Sequence, residues 1–141
     1  MVGTMRLVYA AAAWLFVGAV VVQVFLAGLG LFAGAENFEL HAFFGFTVVH
    51  LISLLLVILG ALGRVGRRNI WLAVLLFVLI GVQVSLPGLR ADLPLVAAIH
   101  PANALLIFWL GLHIALRARR VIGAPSVEAK QMPAEPMPTA P

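Results

Sequence analysis

The chain has 141 residues, 64% of them hydrophobic and only 10% charged, with a mean hydropathy of +1.14, which excludes an ordinary water-soluble core and makes lipid the solvent for most of it. Cysteine is absent; this removes disulfides, thiolate haem ligation, iron–sulfur clusters and covalent c-type haem attachment together, and leaves histidine to hold any metal. The net charge of +4 does not point to nucleic acid, because the arginines sit in short caps beside apolar stretches, where they report membrane orientation.

Four uncharged stretches follow one another, Leu7–Phe32, Leu40–Leu62, Ile70–Leu86 and Leu93–Leu116, the third extendable to Leu89. Each approaches the roughly 20 residues a helix needs to cross a bilayer. Irregular backbone cannot face lipid, and none of the stretches shows the short alternation of barrel strands, so all four are expected to be helices. The expectation is an all-α integral membrane four-helix bundle over residues 1–122, with helices at about 7–32, 40–62, 70–89 and 93–116. Ala33-Gly34-Ala35 resembles a signal-peptidase site, but the preceding apolar run exceeds the 7–15 residues of a signal core, so the first helix is read as retained. Beyond Gly123 the chain turns to Ala, Pro and isolated charges, and 123–141 reads as a disordered cytoplasmic tail.

Alternation of the spans puts Arg6, Arg64, Arg67, Arg68, Arg117, Arg119 and Arg120 on one side, against Glu36, Glu39, Asp92 and a lone Arg90 on the other. By the positive-inside rule both termini are cytoplasmic and the protein is a multi-pass protein of the cell inner membrane, with the Ala33–Glu39 and Pro87–Pro94 connections outside.

Within this frame a repeat emerges. Val22-Gln23-Val24-Phe25-Leu26-Ala27-Gly28-Leu29 returns as Val82-Gln83-Val84-Ser85-Leu86-Pro87-Gly88-Leu89, and a histidine follows each copy, His41 lying 18 residues after Gln23 and His100 17 after Gln83. Two helix pairs, each with a histidine at the start of its second helix, would present opposed ligands to one metal under two-fold symmetry. Gly45 and Ala104, four residues further on, clear space on the same face for a flat porphyrin. The ordinary reading is a pair of interfacial histidines bonded to loop carbonyls; repetition in register favours the ligand reading.

Depth argues against the pair. Counted from the ends of the apolar runs, His41 and His100 differ by about 9 Å at 1.5 Å per residue, unless Pro101 makes the regular fourth helix begin near His100. His50 matches His100 better in depth, but nine residues at about 100° each place it on nearly the opposite face from His41. His113 reads as interfacial, and a second haem on His50 and His113 stays open. Gln23 and Gln83 are candidates to bond the imidazole nitrogens away from the iron, Asn103 shares that role, and Arg90 is a candidate partner for haem propionates. Membrane glue between helices is the competing role for the amides.

The order of a Gln-containing helix and a helix beginning with histidine, given twice, resembles one four-helix half of haem A synthase and, more loosely, cytochrome b561-type bundles. Gly81-Val82-Gln83-Val84-Ser85-Leu86-Pro87-Gly88 leading to His100-Pro101-Ala102-Asn103-Ala104, and Gln23 through Phe38 into His41-Ala42-Phe43-Phe44-Gly45, carry the likeness. The chain also resembles a set of small bacterial four-helix membrane proteins, a likeness that implies a fold and no activity. The first resemblance implies one haem b on His41 and His100. Haem A synthase has two such halves and a glutamate-to-histidine motif whose spacing Glu36 and Glu39 do not reproduce, so the likeness does not extend to oxidation of haem O. The expected function is electron transfer; a cofactor-free accessory subunit or assembly factor and a quinone-coupled reductase are the alternatives. A homodimer, by analogy with the eight-helix assembly, or a respiratory-chain protein is the expected partner.

Overall fold

A computed structural model describes residues 1–122, and the tail expected to be disordered lies outside them. Helix α1 (Val2–Phe32) is the first span. A 3-10 turn (Ala35–Asn37), α2 (Phe38–Phe44), a π-helical turn (Gly45–Val49) and α3 (His50–Leu62) run together as the second. Helix α4 (Arg67–Ser85) continues into a 3-10 turn (Leu86–Leu89) as the third, and the single-turn α5 (Pro94–Ala97) precedes α6 (Ile99–Ile122) in the fourth. All four spans are long and apolar enough to cross a membrane, and no strand occurs among the described residues. At the arginine-rich end the helices overrun the apolar stretches, starting at Val2 and Arg67 and ending at Ile122. Arginine is a good helix former, so loss of hydrophobicity there does not stop the helix. What stops it between the second and third spans is the turn at Gly63–Gly66, where Gly66 has φ of 92°, a backbone region in which a side chain is strained.

Helix α1 packs on α3 and α6, and α4 packs on the same two. The spans therefore form a ring, with the first diagonal to the third and the second diagonal to the fourth. Tyr9, Ala13, Phe16 and Val20 of α1 are buried at steps of three and four residues, one face of a helix. Leu56, Leu76, Ile107 and Ile114 answer from the other spans, while Leu15, Phe25, Leu51, Trp71, Leu105 and Trp109 are exposed on the outside. With apolar side chains on both sides, close packing rather than water exclusion holds such helices together.

Close approach is sharpest at Gly111, where an added Cβ would lie 2.7 Å from the buried Phe16 ring. Gly111→Val is accordingly expected to destabilise the bundle by about 1–3 kcal/mol through overpacking. Gly18→Ala, whose methyl would meet open space, should leave it unchanged or slightly stabler. Unfolding midpoints in one detergent check the contrast, and equal midpoints for the two variants would refute the α1–α6 packing.

The arginine-rich end is tied across spans. Arg6 Nε donates to the Gly63 carbonyl at 3.0 Å, Arg117 Nε to Asn69 Oδ1 at 2.8 Å, and Arg119 lies 4.7 Å above the Trp14 ring. Asn69 in turn donates to the Val65 carbonyl at 2.6 Å.

Candidate functional site

At the opposite end, the second and fourth spans each bring a histidine toward the diagonal. The ring centres of His41 and His100 are 6.2 Å apart, with their planes inclined by 62°. The 9 Å depth offset expected from the sequence is absent, because the apolar runs do not mark where the helices begin. His41 is the fourth residue of α2 and His100 the second of α6, a difference of only about 3 Å. Leu93 to Ala98, which inflated the count for His100, belong to the connection and to α5.

Both imidazoles are fixed in the same way. His41 Nδ1 donates to the main-chain carbonyl of Gln23 at 3.1 Å, and His100 Nδ1 to that of Gln83 at 3.0 Å. A carbonyl only accepts, so Nδ1 carries the proton, and in the neutral ring the lone pair is on Nε2, turned away from that carbonyl. The glutamine side chains were candidates for this bond, with bonding between helices as their other role; the main-chain carbonyls make it instead. A signal for one of the two lay in the sequence. Residue 87 is proline, which has no N–H to give the Gln83 carbonyl four residues earlier, so that acceptor is free for His100.

The side-chain amides do other work. Gln83 Oε1 accepts from Asn103 Nδ2 at 2.8 Å, and the same Asn103 amide reaches the Leu79 carbonyl at 3.1 Å, so Asn103 bonds Gln83 rather than His100. Gln23 Nε2 donates to the His41 carbonyl at 2.8 Å and lies 3.4 Å from His41 Nε2, while its Oε1 is buried with no hydrogen-bond partner. Gly45 makes room for this amide: an added Cβ would sit 2.5 Å from Gln23 Nε2. The space that the sequence reading assigned to a porphyrin at Gly45 thus holds Gln23. Ala104 occupies the equivalent place after His100 and is partly buried. Phe38, not singled out from the sequence, stands edge-on to His41 at 6.3 Å.

The other candidates lie elsewhere. His50 meets Phe77 of α4 edge-on at 5.1 Å, with Phe46 at 6.0 Å. The π-helical turn before it advances each residue by only about 80°, which takes roughly a quarter turn off the phase expected for a regular helix. His113 stacks on Trp109 at 5.7 Å, and no ring contact joins it to His50 among the described residues. Arg90 is exposed beyond the Leu86–Leu89 turn, and its side chain makes no hydrogen bond or ion pair among the described residues.

The donor set bears on what this pair can hold. Two imidazoles on opposite sides of one metal, at about 2.0–2.1 Å per bond, have nitrogens about 4 Å and ring centres about 6 Å apart. That separation matches the pair. No group of three or more His, Asp or Glu side chains suited to a metal occurs among the described residues, so these residues do not bring together the four ligands of a structural zinc. Two axial imidazoles suffice where a macrocycle supplies the other donors, as in haem.

Residues 23–89 match a family described as a family of unknown function (DUF6220). The match runs from Gln23 through His41 and Gln83 to the turn before α5, and stops short of His100. No curated protein and no solved structure matches the chain.

Proposed function

We propose that this chain is an integral membrane haem b protein of electron transfer, with one haem per chain between His41 and His100. The observation that carries the reading is the pair itself: two imidazoles 6.2 Å apart, each with Nδ1 bonded to the carbonyl of a repeat-related glutamine. Bound there, haem b would supply a one-electron couple. His41 and His100 would hold it through Nε2, while the Gln23 and Gln83 carbonyls orient the rings and raise their basicity, the usual part of a group behind a metal ligand. Phe38 shields His41 from one side. With an imidazole from each of two spans holding the group, electron exchange would be favoured over binding of a substrate. The arginine-rich end faces the cytoplasm and the histidine pair the outer side of the bacterial inner membrane. A second copy of this chain or a respiratory-chain protein is the partner.

The amide contacts support a second reading, a cofactor-free accessory subunit. Gln23 bonds His41 and Gln83 bonds Asn103, so each joins a neighbouring span without help from a metal. Pyridine haemochrome analysis of protein expressed with haem supply decides between the two. About one haem b per chain is expected; a value near zero leaves the accessory subunit.

A further inference from the structure

We propose that His50, with Phe46 and Phe77, forms a binding site for a lipid-soluble quinone on the membrane-facing surface between the second and third spans. The site is separate from the pair of His41 and His100, and binding there does not depend on haem.

His50 is an imidazole without partners at a depth where partners are scarce. It lies 14 residues before Arg64, about 20 Å along the span, well inside a hydrocarbon layer about 30 Å thick. Its Nδ1 is buried with no hydrogen-bond partner, and Nε2 has none either among the described residues. A neutral imidazole carries one N–H and one lone pair, and lipid satisfies neither. The neighbouring hydroxyls are committed: Ser53 donates to the main-chain carbonyl of His50 at 2.7 Å and Thr47 to that of Phe43 at 2.6 Å. The ring is only half-buried, so a ligand dissolved in the membrane can reach it. Two aromatic rings stand beside it, Phe77 of α4 edge-on at 5.1 Å and Phe46 at 6.0 Å, tilted by 56°. Phe46 is 66% exposed and offers a flat apolar surface to the lipid. The π-helical turn at Gly45–Val49 sets this arrangement, since a regular helix would swing His50 about a quarter turn away from Phe77. Depth then selects the occupant. A phosphate or carboxylate is too costly this far into hydrocarbon, which excludes phospholipid headgroups. What fits is an uncharged molecule that dissolves in lipid, offers an oxygen to the imidazole N–H and carries a flat ring that packs on phenylalanine in offset or edge-on geometry. A quinone combines these properties.

Titration of the full chain in lipid nanodiscs with a short-chain ubiquinone and, separately, a short-chain menaquinone tests this, followed by magnetic resonance of labelled histidine ring nitrogens. Saturable binding of at least one of the two, with a shift of the His50 nitrogens, is expected. His50→Leu should bind about fivefold more weakly, the worth of one hydrogen bond, and His50→Gln, which keeps an N–H donor, should recover most of the affinity. Phe46→Leu removes only an exposed ring and should weaken binding about threefold, so it carries the test if His50→Leu does not fold. Wild type without saturable binding overturns the inference, as do His50→Leu and Phe46→Leu proteins with wild-type affinity. A His50→Leu protein that passes from dimer to monomer assigns the imidazole to a second copy of the chain and overturns it as well. Haem content of the same samples is read independently: a haem-free protein that binds quinone through His50 upholds this inference and loses the haem reading.

Discussion

Replacing either His41 or His100 by alanine is expected to abolish the low-spin haem spectrum, whereas His113→Ala retains it. Each of the first two removes one of the two imidazoles whose ring centres lie 6.2 Å apart, and the proposed haem would be left with water or with no sixth ligand. The loss of retained haem should exceed about tenfold for both, since binding by two ligands is worth far more than by one. His113 stacks on Trp109 and touches neither member of the pair. His50→Ala is expected to change the spectrum only slightly, through its packing on Phe77. Absorbance spectra of the four purified variants, oxidised and reduced, provide the measurement. A His41→Ala protein with the wild-type spectrum beside a haem-free His50→Ala protein would reject the ligand assignment. Gln23→Leu and Gln83→Leu should keep the low-spin spectrum, because the bonds that orient the imidazoles come from the main chain at those positions.

An equally large effect is expected for orientation. A reporter active only in the cytoplasm should be on when fused after Pro141 and off when inserted between Pro87 and Pro94. The basis is the collection of Arg6, Arg64, Arg67, Arg68, Arg117, Arg119 and Arg120 at one end of the bundle, opposite Glu36, Glu39 and Asp92. Arginine beside a span resists transfer across the membrane, whereas acidic residues have little influence on orientation. Three of these arginines are also engaged with other spans, through Gly63, Asn69 and Trp14. The reverse reporter pattern would put the histidine pair on the cytoplasmic side and change which donors can reach it.

The four spans and the pairing of His41 with His100 were legible because both depend on patterns the chain repeats: uncharged runs of sufficient length, and a Gln-to-His spacing given twice. Vertical position was not. Hydropathy marks what lipid tolerates rather than where helical geometry begins, so the apolar residues before His100 were counted as depth although α6 starts only at Ile99. That His50 stands apart from His41 was legible, and it packs on Phe77; the π-helical turn at Gly45–Val49 that precedes it was not, since such a turn leaves hydropathy untouched. The acceptors for the two imidazoles were missed for a different reason. Main-chain carbonyls are present at every residue, so a sequence identifies a particular one only when a neighbour withholds its usual donor, as Pro87 does for Gln83. Nor does spacing reveal that Gln23 fills the space beside Gly45; that requires the two helices in place.

Helix α1 fixes where the pair stands in an electric field. Gln23 is 17 residues beyond Arg6, about 26 Å along the helix, against a hydrocarbon thickness of about 30 Å. A redox centre at that level lies across most of the insulating layer from the arginines. An electron reaching it from the arginine side traverses nearly the whole transmembrane voltage, worth about 2 kcal/mol per 100 mV, and one arriving from the far side traverses almost none. If the pair holds haem as proposed, the membrane potential would therefore discriminate between donors on the two faces before any recognition of the donor itself, and a midpoint measured in detergent would lack that discrimination.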